Sequence, residues 1–103
     1  MIAAVVFDIG SVLEVIDPDA FPAPFERRHG LPRGAVAAAS DFDGDPGLGE
    51  IDEAGFRRHW QVRLGLSDAQ ADELMADYWR WYVGTLDQPL VDWFAGVRER
   101  VCL

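Results

Sequence analysis

The chain has no lysine, a single cysteine (Cys102), two histidines and no long apolar run. Each shortage removes a class of function. Without lysine, all nine basic residues are arginine, and eighteen acids oppose them for a formal charge of -9. Nucleic-acid backbones and anionic membrane surfaces require a dense cationic face, so neither is an expected partner. One cysteine excludes an internal disulfide and a cysteine metal cluster, and it suits a reducing compartment. The expected location is therefore cytoplasmic. The opening apolar run ends at Asp8, short of a signal-peptide core and without its positive flank. No stretch approaches the roughly 20 apolar residues of a membrane span. What remains is a globular profile: 103 residues, half of them hydrophobic and 26% charged, sized for one core.

Residues 2–7, I-A-A-V-V-F, are apolar throughout and β-branched in part. They read as a strand buried on both faces, of the parallel-sheet kind. Residues 8–17 then read as the loop leaving its C-terminal end. Asp17-Pro18 has the form of a helix start, and His29-Gly30 of its stop. Residues 33–40 suggest a short Ala-rich helix, and 41–50 an acidic, glycine-rich loop. A helix over about 52–64 ends at Gly65. Ser67-Asp68-Ala69-Gln70 forms a capping box for the next, which carries Ala71, Leu74, Tyr78 and Tyr82 on one stripe and ends at Gly84. Asp87 opens a last helix with Leu90, Phe94 and Val97 at i, i+4, i+7. Val101-Cys102-Leu103 has the look of a second strand beginning. A lone parallel-type strand leaves its backbone groups unpaired, so an exposed strand edge favours self-association.

The chemistry-bearing stretch is Val5-Val6-Phe7-Asp8-Ile9-Gly10-Ser11-Val12-Leu13. A carboxylate at the end of a buried strand lies where open α/β sheets bind ligands. Amides of the following loop, around Ile9, Gly10 and Ser11, can face an anion. Asp8 in such a place can act as a nucleophile or hold magnesium. The same Asp can also merely end a strand and cap the next turn.

The pattern hhhFDxGxVL resembles the first motif of the haloacid dehalogenase superfamily, and Gly49 to Phe56, G-E-I-D-E-A-G-F, is similar to the cap segment of one of its branches. The resemblance implies an α/β fold with a Rossmann-type core, incomplete in this chain, whose ordered part is mostly helical. Residues 1–17 would be the first strand and catalytic loop, 18–86 the helical cap, and 87–103 the helix returning to the core and the start of a second strand. Asp8 matches the family's nucleophile, which also binds magnesium in its phosphatases, and the Gly10 carbonyl matches a backbone metal ligand. Ile9, Gly10 and Ser11 match the substrate-binding loop. Position 10 usually carries a second aspartate that protonates the leaving group, and Gly10 offers no proton. The family's later elements, a Ser or Thr, a Lys or Arg and an acidic pair, do not occur in matching places. The implied protein is the N-terminal part of a hydrolase acting on a small phosphorylated or halogenated metabolite through an aspartyl-enzyme intermediate, inactive as an isolated chain.

A different class of reading is a small, non-enzymatic helical module that binds a partner through its aromatic face. Two features carry less. Asp41, Asp43, Asp45 and Asp52 imitate a calcium loop, but Pro46 stands where the sharp turn needs glycine, and a solvated acidic loop is the expectation. His29 and His59 read as a helix-end and a solvent-side histidine. Trp79 and Trp81, two apart on a helix, cannot share a face.

Overall fold

The computed structural model describes residues 1–10 and 12–97. It is mostly helical, with one two-stranded antiparallel sheet. The order is β1 (Glu14–Val15), α1 (Ala23–Arg28), α2 (Ala35–Ala38), a 3-10 turn (Pro46–Leu48), α3 (Glu53–Leu64), α4 (Asp68–Val83), β2 (Thr85–Leu86) and α5 (Gln88–Gly96).

The two long helices have chemically specified ends. The Asp52 carboxylate accepts from the Gly55 amide at 2.8 Å, and Gly65, at φ 64°, closes α3. Ser67 and Gln70 form the expected reciprocal capping box on α4. Each such cap contributes about 1 kcal/mol. α3 and α4 pack through Phe56, Trp60, Ala71, Leu74 and Met75, and the loop between them adds Leu66. α1 and α2 cover this pair with Phe25 and Val36, which are 1% exposed. Trp60 places its indole N–H on Ser40 Oγ at 3.2 Å, so the one polar atom of that ring is satisfied at the edge of the core.

Glu26 is the one buried charged residue among those described. Its Oε2 accepts from the Gly34 amide at 2.9 Å and its Oε1 from the Val36 amide at 3.0 Å. A side chain of α1 thus supplies the cap that α2, preceded by Gly34, cannot make for itself. Outside the core, Arg28 pairs with Glu73 and Asp77, and His29 Nε2 lies 2.8 Å from Glu73, tying the end of α1 to α4.

The helical unit leaves and returns through one narrow place. Glu14 pairs with Leu86 and Val15 with Thr85, antiparallel. Gly84 makes the return possible. Its φ is 61°, and a Cβ there would lie 2.5 Å from the Val15 carbonyl oxygen. Only glycine fits that crossing. Beyond this neck lie residues 1–9 and α5. Asp87 caps α5 through the Leu90 amide, and its own amide donates to the Leu13 carbonyl at 2.8 Å. The chain measures 54 × 28 × 21 Å with a radius of gyration of 17.7 Å. A compact chain of this length has a radius of about 13 Å. The part beyond the neck projects from the helical unit instead of rounding it off.

Four expectations are corrected. Residues 2–7 are not a strand. No backbone hydrogen bond joins them to another described residue, and extended segments without partners do not make a sheet. The observed strands lie in the segment read as loop and in the turn after Gly84, and their sheet is antiparallel, not parallel. The first helix begins at Ala23, not Pro18. Asp17 instead closes a turn, its carboxylate accepting from the Asp19 amide and its carbonyl from Ala20. The Ala-rich helix shrinks to 35–38. The second strand expected at 101–103 lies outside the described residues. No helix of the described residues is long and apolar enough to cross a membrane.

Candidate active site

Asp8 sits on the projecting part, between two anchored neighbours. On one side Phe7 meets α5: its ring stands edge-on to Phe94, with centroids 4.8 Å apart, and 6.5 Å from Trp93. On the other side the chain turns tightly. The Ile9 carbonyl accepts from the amides of Val12 (3.3 Å), Leu13 (3.0 Å) and Glu14 (3.0 Å). That turn feeds directly into β1, and Leu13 is buried beneath it. The backbone at Asp8 is therefore held by aromatic packing before it and by a three-amide turn after it.

The side chain itself is exposed, and Asp8 Oδ1 accepts from the amide of Ile9 at 2.8 Å. Ile9 is 58% exposed, and Gly10 is exposed with open space where a Cβ would be. Asp8, Ile9 and Gly10 thus stand together on one turn, as expected from their adjacency. The burial expected of the strand before them is not seen: Val5 is 68% and Val6 93% exposed. Ser11 lies outside the described residues.

Magnesium is the metal the family resemblance implies. Among the described residues, no three His, Cys, Asp or Glu side chains come together. Asp8 supplies one carboxylate and Gly10 one carbonyl, and half of that carboxylate is turned onto Ile9. Magnesium demands near-octahedral oxygen coordination, and these donors do not make such a site. The acidic loop does not make a cation site either, because all its carboxylates except that of Asp43 are engaged by the protein. Asp45 caps Gly47, Glu50 accepts from the Asp45 amide, and Asp52 caps α3. Asp41 accepts from Arg63, and that guanidinium holds the Asp41 carboxyl below its ordinary 3.8.

Both histidines are held more firmly than their sequence contexts suggested. His29 bridges Glu73 and Gln70. His59 is half-buried, not on the solvent side: its Nε2 donates to the Ala39 carbonyl at 2.9 Å while the ring lies against Phe42. The aromatic residues divide as their spacing required. Trp60 is in the core, Trp81 is half-buried against Phe21 with its N–H on the Asp17 carbonyl, and Trp79 is 41% exposed. Burial lifts the Tyr78 phenol above its ordinary 10, with the neighbouring Tyr82 adding to the effect.

Sequence reasoning missed Glu26 and the neck. Glu26 lies in the run P-F-E-R-R, which reads as a solvated helix face. The neck strands are two residues each, and no local pattern marks them.

Compared with protein-family models, with curated proteins and with solved structures, the chain matches none.

Proposed function

We propose that the chain is the cap-bearing N-terminal portion of a haloacid-dehalogenase-like hydrolase, with Asp8 as its nucleophile. The observation that carries this reading is the neck. A unit inserted into another domain must leave and re-enter that domain at neighbouring points. Val15 and Thr85 are paired partners although seventy residues separate them in sequence. Asp8 lies one tight turn before the neck, and α5 packs on Phe7 just after it. Ile2, Val5, Val6, Ile9 and Trp93 are all more than half exposed on the projecting part. Apolar surface of that kind is the surface a core sheet and its helices would cover.

The chemistry follows from what stands at position 10. An Asp8 oxygen attacks the reacting carbon or phosphorus, and the leaving group departs with the bonding electrons. Water then cleaves the resulting ester or acyl phosphate. An alkoxide leaving group requires a proton, and Gly10 has none to give. A halide leaves as a stable anion without one. The residues present therefore favour displacement of halide from a small halogenated acid over phosphate-ester hydrolysis. A phosphorylated substrate would bring magnesium with it, and no step here depends on that metal.

The test is a substrate screen of halogenated acids and phosphate esters on the chain carried in its full natural reading frame. The expected result is turnover that Asp8→Asn reduces at least a thousandfold, the order seen when a catalytic group acting as a unit is lost. Turnover unchanged by Asp8→Asn overturns the reading. A second reading, the non-enzymatic helical module, draws on the exposure of Asp8 and on the absence of pairing for residues 2–7 among the described residues. On that reading Asp8→Asn changes nothing, and partner binding depends on exposed rings such as Trp79 and Tyr82.

A further inference from the structure

The helical unit carries a cavity of about 420 Å³, lined by Asp19, Ala23, Glu26, Arg27, Leu31 and Arg33. It shares no residue with the Asp8 turn. Among the described arginines, Arg28, Arg57, Arg63 and Arg80 each pair with a carboxylate. Arg27, Arg33 and Arg58 make no ion pair with a described residue. In a chain with twice as many acids as bases, unpaired guanidinium groups are unexpected, and two of these three line the same cavity.

Two acids, Asp19 and Glu26, line the same cavity, and neither forms an ion pair with Arg27 or Arg33, so both guanidinium forks stay open. Both oxygens of Glu26 are committed to the Gly34 and Val36 amides. Asp19 is exposed and forms no ion pair with a described residue. Ala23 and Leu31, both half-buried, give the cavity an apolar part. Guanidinium groups present a planar fork of donors that matches carboxylate and phosphate oxygens. A cavity of this size holds a small metabolite.

We propose that this cavity binds a small oxyanion, a carboxylate or phosphate group gripped by Arg27 and Arg33. The protein as a whole repels anions, since its net charge is -9. Binding therefore depends on these two side chains at short range and weakens as salt rises. Asp19 and Glu26 oppose it, as like charges beside the ligand.

The experiment is a calorimetric and NMR titration of the chain with inorganic phosphate and, separately, with succinate. Both arginines are exposed, so their replacement leaves the core intact, and circular dichroism checks this for every variant. The expected result is saturable binding of at least one probe, weakened about tenfold or more by Arg27→Ala and by Arg33→Ala, as loss of a charge-assisted hydrogen bond implies. Arg58→Ala, which removes an unpaired arginine elsewhere, leaves the affinity unchanged, and Asp19→Asn tightens it. Binding that survives the double arginine variant overturns the proposal. So do an equal loss in Arg58→Ala, weaker binding in Asp19→Asn, and the absence of saturable binding by either probe. None of these readouts involves Asp8, so failure here and failure of the hydrolase reading are separable.

Discussion

The helical unit and the segment projecting beyond its neck are made of similar residues and treat them in opposite ways. Leu74, Phe25 and Val36 are at most 1% exposed, whereas Val6, Ile2 and Val5 are 93%, 81% and 68% exposed. Both regions are rich in aliphatic and aromatic side chains. The difference is whether partners lie within reach. The helical unit closes its own core because α1 to α4 face one another within about sixty residues of chain. Residues 2–7 find aromatic contacts only through Phe7, on Phe94 and Trp93, and no sheet among the described residues. Hydrophobic sequence supplies a driving force for burial, but the burial itself needs a surface to receive it.

The largest effect that sharpens this comparison comes from Leu74→Ala, which opens a cavity in a fully buried site. Thermal unfolding followed by circular dichroism should show a loss of about 2–5 kcal/mol. Gly84→Ala comes next, because the new methyl group meets the Val15 carbonyl and the backbone there has positive φ. A loss of about 2 kcal/mol is expected, with faster hydrogen exchange at Thr85 and Asp87 while the α3–α4 amides stay protected. Ser67→Ala removes half of a capping box and should cost about 1 kcal/mol. Val6→Ser should change stability by less than about 0.5 kcal/mol and reduce self-association in sedimentation. If Val6→Ser destabilised the chain as much as Leu74→Ala, the contrast between the two regions would collapse.

The smallest effect is one of pH. The raised Tyr78 value links to stability that is fully present below the phenol's ordinary 10 and is lost as the pH rises through the raised value. In a Tyr82→Phe protein the remaining tyrosine should ionise above 10 by ultraviolet absorbance. Ionisation at or below 10 would place Tyr78 in water instead of against Phe21 and Phe56.

How much of this was legible in the sequence follows from how local each determinant is. The start of α3, the capping box of α4 and the glycine stops at 65 and 84 are written within four residues of each end, and they are observed where expected. The half-buried stripe of α5, Leu90 and Phe94, follows its period. The neck was illegible because its partners lie seventy residues apart and its strands contain Glu14 and Thr85, which advertise nothing. Glu26 was illegible because the donors it accepts from, the amides of Gly34 and Val36, are backbone groups that any sequence possesses. For residues 2–7 the composition pointed to a strand, but a strand is a relation between segments and no single segment can specify it. The candidate site was legible as a motif at Asp8, Ile9 and Gly10. Its anchoring by Phe94 and by the Ile9 carbonyl was not.

The most direct measurement is a single turnover of a halogenated acid in heavy-oxygen water by the chain in its full reading frame, with the peptide bearing Asp8 weighed afterwards. If the Asp8 carboxylate displaces halide, water must release the product by attacking the carboxyl carbon of that ester, and solvent oxygen then appears in Asp8. Product that carries the solvent oxygen directly, with Asp8 unlabelled, would contradict the account.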